Sequence, residues 1–423
     1  MNVDPSSPRK AAYEALIRWE RTGCYLVEGL DSWHREASPS TQQRHQARQL
    51  AYGCCSRRLS LDQLAFQLSK GGKLPKKKRE QWLLRLALYE ACFLSGSPLY
   101  GLVHSWVELA HQCCHSSFAS YLNALLRSVG QKGVPRLPSG EKPSDLAIYY
   151  SYPPWFVGEL LQHHPLHRVR QLLAIGNEPA ATVARLRPGF PDPFLLPVWE
   201  CLSHLPCPAG RLLLPEKLPE LVKQPGLVIQ GPAHLSLIYQ LASGLEAKPR
   251  RILDLCAAPG GKLLLLADLY PQALLYANDV APERMERLRE NVSRYGVDVQ
   301  LSVGPGQLFT PPDGQLFDLI LIDAPCSNAA VLAKRTEARW RLDGASQLRE
   351  LLATQRLLLE RSRQLLAPQG ELWYMSCSLL SQENQEQAAF AEATLALKKR
   401  TEQLLLPSYS SYGDGGYAVA LRP

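Results

Sequence analysis

Two cysteines sit in short turns that follow β-rich runs: Cys326 in Asp323-Ala-Pro-Cys-Ser327, and Cys377 in Ser376-Cys-Ser378. A carboxylate, Asp323, stands just ahead of the first thiol. A cysteine is a nucleophile only as its thiolate, so it needs neighbours that shift its proton. One cysteine at a strand end is ordinary packing. Two, with a carboxylate beside them, form a constellation. A reaction that would use all three is addition to a pyrimidine. Carbon 5 of cytosine is a poor nucleophile, but a thiolate added at carbon 6 makes the ring enamine-like and able to attack an electrophilic methyl group. One cysteine attacks and a carboxyl group takes up charge at ring nitrogen 3. A base then removes the carbon 5 proton so that the thiol can leave, which a second cysteine can aid.

A methyl donor needs its own site. Cys256-Ala257-Ala258-Pro259-Gly260-Gly261-Lys262 directly follows the run Arg251–Leu255. Small residues and two glycines let a ligand approach the backbone closely. The next run ends in Asp279, whose carboxylate can accept hydrogen bonds from the vicinal hydroxyls of a ribose. A nicotinamide cofactor would want a full G-x-G-x-x-G turn for its pyrophosphate. The shorter Pro259-Gly260-Gly261 suits a nucleoside without phosphates, such as S-adenosylmethionine. A bare strand-to-helix turn is the plainer alternative.

These groups need a sheet to hold them. From Arg250 onward short β-rich runs alternate with helical spacing, which predicts an α/β, Rossmann-like domain over 247–423 with a doubly wound, mainly parallel sheet. Its strands are expected at Arg251–Leu255, Leu274–Asn278, just before Gly304, Phe317–Ile322 and Glu371–Met375, with Tyr417–Leu421 closing it. In such sheets ligands sit beyond the carboxyl ends of the strands, where the loop, the carboxylates and both thiols fall.

The front of the chain is different. Residues 1–130 show helical spacing throughout, as in Ala11, Ala12, Ala15 and Leu16. Residues 1–140 hold 19 Lys+Arg against 10 Asp+Glu, whereas the whole chain carries +8, so the remainder is near neutral. A basic excess confined to one domain points to a polyanion as partner. Lys73, Lys76, Lys77, Lys78 and Arg79, in a Gly/Pro-containing loop, are candidate RNA phosphate contacts. Solvated surface is the plainer reading of such a run.

Residues 131–145, rich in Gly, Pro, Ser and Lys, read as a linker, and 146–246 as a small α+β RNA-binding subdomain. Within it Trp155–Leu161 is helical, while Ala181–Arg187 and Gly226–Ile229 are strands. Arg185 and Arg187 would share one strand face and meet RNA backbone there, with solvated surface as the alternative. Eleven cysteines, an odd count without an export signal, predict reduced thiols. His111, Cys113, Cys114 and His115 lack a second ligand pair at zinc spacing, so no metal is expected. No apolar run would span a bilayer, and a cytoplasmic protein is expected.

The front domain resembles the all-helical NusB fold in Leu84-Arg-Leu-Ala-Leu-Tyr-Glu90, Val107-Glu-Leu-Ala110 and Tyr121-Leu-Asn-Ala-Leu-Leu-Arg127, which implies RNA binding. The set Cys256–Lys262, Asp323–Ser327 and Ser376–Ser378, with Glu383-Asn384 following, resembles the Sun (Fmu) family of RNA cytosine-5 methyltransferases. The likeness covers nearly the whole chain. It implies Cys377 as nucleophile, Cys326 in product release, and Asp323 against the target base or the cofactor. It further implies Cys256, Ala257, Ala258, Pro259, Gly260, Gly261, Lys262 and Asp279 as cofactor contacts, and ribosomal RNA as substrate, with transfer RNA as the alternative. The chain departs from the pattern at four places. Pro305 stands where an aspartate usually contacts adenine, which leaves Gly304 or other backbone groups for that role. Leu263 replaces the usual Thr, Gln230-Gly231 lacks an acidic residue, and Asn328-Ala-Ala330 replaces a Gly-containing stretch. A binding protein with a decayed site is the rival from another class.

Overall fold

The structure is a computed structural model that describes residues 4–94, 98–179, 182–190, 199–201, 210–213, 224, 226–341, 345–409 and 413–423. Two compact units emerge: Met1–Asn177 with Arg339–Arg341, and Glu178–Ala338 with Leu342–Pro423.

The first unit is helical. Its apolar positions recur at helical spacing and close on one core, with Leu16, Leu50, Trp82, Leu86, Trp106 and Leu122 fully buried. Ser40 and Gln43 form a reciprocal capping box that starts the helix Thr41–Ser56. Two charged groups buried in this core are paired: Glu90 accepts from Arg9 and from the Trp106 indole, and Arg85 donates to Asp62. The basic loop joins the helices Arg58–Leu68 and Lys78–Phe93, and Lys73, Lys76, Lys77, Lys78 and Arg79 are all exposed. Two of them touch acids, Lys77 near Glu80 and Lys78 at 2.7 Å from Glu20.

The expected subdomain over 146–246 does not exist as one body. The helices Pro143–Tyr150, Pro154–His163 and Leu166–Ile175 belong to the first unit. They are tied into it where Ser60 Oγ donates to Ile148 O (2.7 Å) and Leu59 N–H to Ser151 Oγ (2.9 Å). The unit also takes in a segment far away in sequence. Arg339 donates to the carbonyls of Ser56, Ser151 and Gly176 and to Asn177 Oδ1, and lies 4.1 Å over the Tyr152 ring. Nothing in local sequence pattern announces such a contact.

The second unit holds eleven strands among the described residues: β1 (Thr182–Leu186), β2 (Trp199–Cys201), β3 (Gly210–Leu213), β4 (Leu227–Ile229), β5 (Arg251–Asp254), β6 (Leu274–Asp279), β7 (Gln300–Val303), β8 (Phe317–Asp323), β9 (Leu366–Ser376), β10 (Lys398–Leu405) and β11 (Gly416–Arg422). The first four make a small antiparallel sheet, ordered β2-β3-β1-β4. The other seven are ordered β10-β11-β9-β8-β5-β6-β7, parallel from β9 to β7, with β11 and β10 antiparallel. This is the expected doubly wound sheet, with one strand more. β10 begins Lys-Lys-Arg-Thr-Glu and shows no apolar alternation because it is an edge strand, where charge is tolerated. Helices cover both faces. On one, Leu237 and Ile238 of the helix Pro232–Ser243 pack with Leu319, Trp373 and Ala418; on the other, Leu358 and Leu359 of Ala345–Leu365 pack with Ile320 and Tyr374. The helix Pro232–Ser243 thus belongs to the main sheet.

Arg185 and Arg187 do share a face, but it is not an RNA face. Arg185 is fully buried, donates to Gln230 Oε1 and ion-pairs with Asp268; Arg187 donates to Asp268 at 2.8 Å and to Tyr295 O. Both guanidiniums clamp the small sheet onto the helix Gly261–Leu269 through Asp268. Removing Asp268 would strand buried positive charge, which typically costs about 3–5 kcal/mol. Asp268→Ala is therefore expected to lower the calorimetric melting temperature of this unit by several degrees, and Arg185→Met by less. If Arg185→Met instead weakened RNA binding and reduced its salt dependence at unchanged melting temperature, this assignment would be wrong.

No helix among the described residues is long and apolar enough to cross a membrane. Nine described cysteines are free thiols.

Candidate active site

The parallel strands deliver their groups to one edge. β5 ends in Asp254, and the chain turns through Cys256-Ala-Ala-Pro into a helix that begins at Gly261. Gly260 caps it with φ +106°, a left-handed conformation open to glycine, and a Cβ there would run into Leu288. A Cβ on Gly261 or Gly304, by contrast, would enter open space. β6 ends in Asp279, whose side chain is pinned in place: Oδ1 accepts from Ala281 N–H (3.0 Å) and Arg284 (2.8 Å), and Oδ2 from Ala258 N–H (3.1 Å).

That edge fits a nucleoside. It offers open space over two glycines, a fixed carboxylate and no pyrophosphate cradle. Gly304 serves it differently from the expectation. Its N–H donates to Asp279 O and its carbonyl accepts from Asn278 Nδ2, both at 3.0 Å, so it contributes room rather than a free N–H. Pro305 has no N–H at all. The Cys256 thiol is pushed far up by burial, with Asp254 adding to it, so its part is structural or steric.

Asp254 is fully buried, and burial together with Asp323 pushes its carboxyl up to about 8. Lys262 Nζ lies 2.6 Å from Asp323 Oδ2. Burial works against the ammonium, but Asp323 and Cys377 outweigh it and raise the group, so it stays charged. A positive charge here holds Asp323 in place.

The two cysteines face one another. Cys326 lies in the turn after β8 and Cys377 directly after β9, and the Cys377 N–H donates to Cys326 Sγ at 3.2 Å. Burial alone would raise both thiols, yet they are driven apart. A hydrogen bond from Cys326 holds Cys377 well below the ordinary thiol range, with the charges of His234 and Lys262 assisting; the same contact raises Cys326. Of the two thiols, Cys377 is the one whose surroundings favour loss of its proton.

The turns bearing these thiols are stitched together by Glu383. Its Oε1 accepts from Ser327 N–H (2.9 Å) and Gln355 Nε2 (3.3 Å), and its Oε2 accepts from Ser327 Oγ. Ser327 Oγ in turn meets Ser378 Oγ at 3.0 Å. Asn384 binds the other flank, reaching Ser376 Oγ and donating to Ser378 O. One departure from the family pattern is thereby explained: Asn328 takes φ +59°, which asparagine tolerates, and lets Ala330 N–H donate to Cys377 O at 2.9 Å.

The sequence reading missed one member. His234 Nε2 lies 3.1 Å from Cys377 Sγ. Its position in a largely apolar helix carries no spacing signal. Among the described residues, the side-chain atoms of His234, Asp323 and Cys377 form the single cluster of metal-ligand type, all within 4.8 Å of each other. The Lys262 ammonium at Asp323 works against a cation in that place.

Residues 244–413 match the family model described as 16S rRNA methyltransferase RsmB/F, and residues 6–131 match the NusB family. The "Probable ribosomal RNA small subunit methyltransferase B" of Bacillus subtilis is 28% identical over 95% of this chain and 93% of its own. The ribosomal RNA small subunit methyltransferase B of Vibrio cholerae is 29% identical over 91% of this chain and 89% of its own. Among solved structures, that of PH0851 aligns over 100% of both chains with a TM-score of 0.80 at 20% identity. A methyltransferase homolog from Pyrococcus horikoshii aligns over 67% of this chain and 99% of its own, with a TM-score of 0.51 at 21% identity.

Proposed function

We propose, since residues 244–413 match the model of the 16S rRNA methyltransferase RsmB/F family and residues 6–131 that of the NusB family, that the chain is an S-adenosylmethionine-dependent RNA methyltransferase acting on carbon 5 of a cytosine in small-subunit ribosomal RNA. The observation that carries the chemistry is the contact between Cys377 and Cys326, in which the Cys377 N–H meets Cys326 Sγ at 3.2 Å where two neighbouring parallel strands end.

S-adenosylmethionine, when bound, supplies an electrophilic methyl group. The turn Cys256–Lys262 would hold it, with the Asp279 carboxylate on the ribose and the space above Gly261 and Gly304 taking the nucleoside. Cys377 adds to carbon 6 of the flipped-out base. Asp323, fixed by Lys262, faces ring nitrogen 3 and steadies charge there. Cys326 assists removal of the carbon 5 proton and so frees Cys377. The exposed cations Lys73, Lys76, Lys77, Lys78 and Arg79 of the helical unit contact RNA phosphates. The protein works in the cytoplasm, where its thiols stay reduced.

Bisulfite sequencing of total RNA from a deletion strain and its complemented parent tests the reading. One cytosine of small-subunit ribosomal RNA is expected to lose its protection in the deletion and regain it on complementation. Loss at a transfer RNA position would reassign the substrate, and no change anywhere would overturn the activity. Pro305 favours one other reading, an RNA-binding protein with a decayed cofactor site. Calorimetry with S-adenosylmethionine separates the two, because a decayed site shows no saturable binding.

A further inference from the structure

His234 belongs to the helix Pro232–Ser243, whose neighbouring side chains Ala233, Leu235, Leu237, Ile238 and Leu241 are buried and apolar. The imidazole is itself only 9% exposed. A histidine in such a place is usually a core group bonded to whatever polar atom is close. This one has the sulfur of the proposed nucleophile for its neighbour, 3.1 Å from Nε2.

We infer that His234 is a catalytic residue, the base that takes the proton of Cys377 before attack and returns it when the base is released. The inference rests on the reading of Cys377 as nucleophile and deepens it. In the step, the S–H bond of Cys377 breaks with its electron pair staying on sulfur. The proton passes to the Nε2 lone pair of His234, giving a thiolate and an imidazolium with no change in net charge or oxidation state. The thiolate pair then forms the bond to carbon 6. When that bond later breaks, the pair returns to sulfur and the proton can follow it from Nε2.

The surroundings suit this exchange. Cys377 is faced by Cys326 from the turn after β8, by Lys262 from the start of its helix, by Asp323 at the end of β8 and by His234. On the far side of the imidazole, Gly231 clears a space. A Cβ there would collide with Asp414 Oδ2 and lie 3.5 Å from His234 Nδ1. Asp414 is buried and ion-paired to Lys334 at 2.8 Å, so a carboxylate stands across Gly231 from the ring. The absence of an acidic side chain at Gly231, a departure from the family pattern, thus coincides with an acid from elsewhere in the chain and with room for the histidine.

The test uses the full-length protein and two readouts. Alkylation of Cys377 by iodoacetamide is followed by peptide mass spectrometry from about pH 5 to 9, and methylation kinetics are measured on unmodified RNA. In His234→Asn the pH midpoint of Cys377 alkylation is expected to rise by at least about one unit. Its kcat should fall by roughly 10²-fold, with KM for RNA and S-adenosylmethionine within about twofold of wild type. His234→Gln replaces it if the first variant binds no S-adenosylmethionine, and added imidazole should restore part of the kcat of His234→Ala. Wild-type kcat and an unmoved alkylation midpoint in a folded variant would overturn the role of His234. If those results came with an inactive Cys377→Ala, the nucleophile reading would stand alone; an active Cys377→Ala would overturn that reading instead.

Discussion

Cys377→Ala protein is expected to fold, to bind S-adenosylmethionine as tightly as wild type, and to incorporate less than about one part in 10³ of the wild-type methyl label into RNA. The reason lies in the placement of the sulfur. Cys377 is the one thiol of the pair drawn well below the ordinary range, by the hydrogen bond from Cys326 and the charges of His234 and Lys262. Among the described residues, the other thiols at this edge are Cys256 and Cys326. The Cys256 thiol is pushed far up by burial, and contact with Cys377 and burial raise Cys326. Folding should survive because β9 and β11 pair through backbone bonds alongside this turn, independently of the sulfur. Tritium incorporation from labelled cofactor reads the outcome directly.

Cys326→Ala is expected to do the opposite of silencing the first step: RNA should accumulate on the protein as an adduct that survives denaturing electrophoresis. The two thiols are linked through one charge. Contact with Cys377 is the largest cause that raises Cys326, and burial comes next. Once Cys377 has bonded to carbon 6 it carries no negative charge, so that cause disappears. Cys326 can then pass its proton to solvent more easily, and its thiolate takes the carbon 5 proton. Without Cys326 the adduct forms but has no nearby base to release it. The band should be absent in wild type and in the Cys326→Ala/Cys377→Ala double variant. A Cys326→Ala protein that turned over at the wild-type rate with no adduct would remove the second cysteine from the mechanism.

Much of this site could be read from the chain because a parallel sheet puts chemistry at strand ends. Asp279, Asp323, Cys326 and Cys377 each follow an apolar β-rich run, and all of them lie at the edge that such runs predict. What escaped was set by long-range packing. His234 reaches Cys377 across 143 positions of sequence from a helix whose pattern is mainly apolar. Arg185 and Arg187 looked like a basic strand face because sequence shows charge but not the Asp268 that neutralises it. The helices between Pro143 and Ile175 were placed with the strands that follow them, since hydrogen bonds such as Ser60 to Ile148 leave no local trace. Gly304 was expected to face the cofactor through its backbone, whereas its N–H and carbonyl close the turn beside Asp279.

The most direct measurement is to incubate wild-type protein and S-adenosylmethionine with RNA carrying 5-fluorocytidine, whose carbon 5 fluorine no base can remove, and to sequence the trapped peptide by mass spectrometry. A methylated 5-fluorocytidine bonded to the sulfur of Cys377 is the predicted product. An adduct on Cys326, or unmodified Cys377 in a preparation that methylates ordinary RNA at full rate, would contradict it.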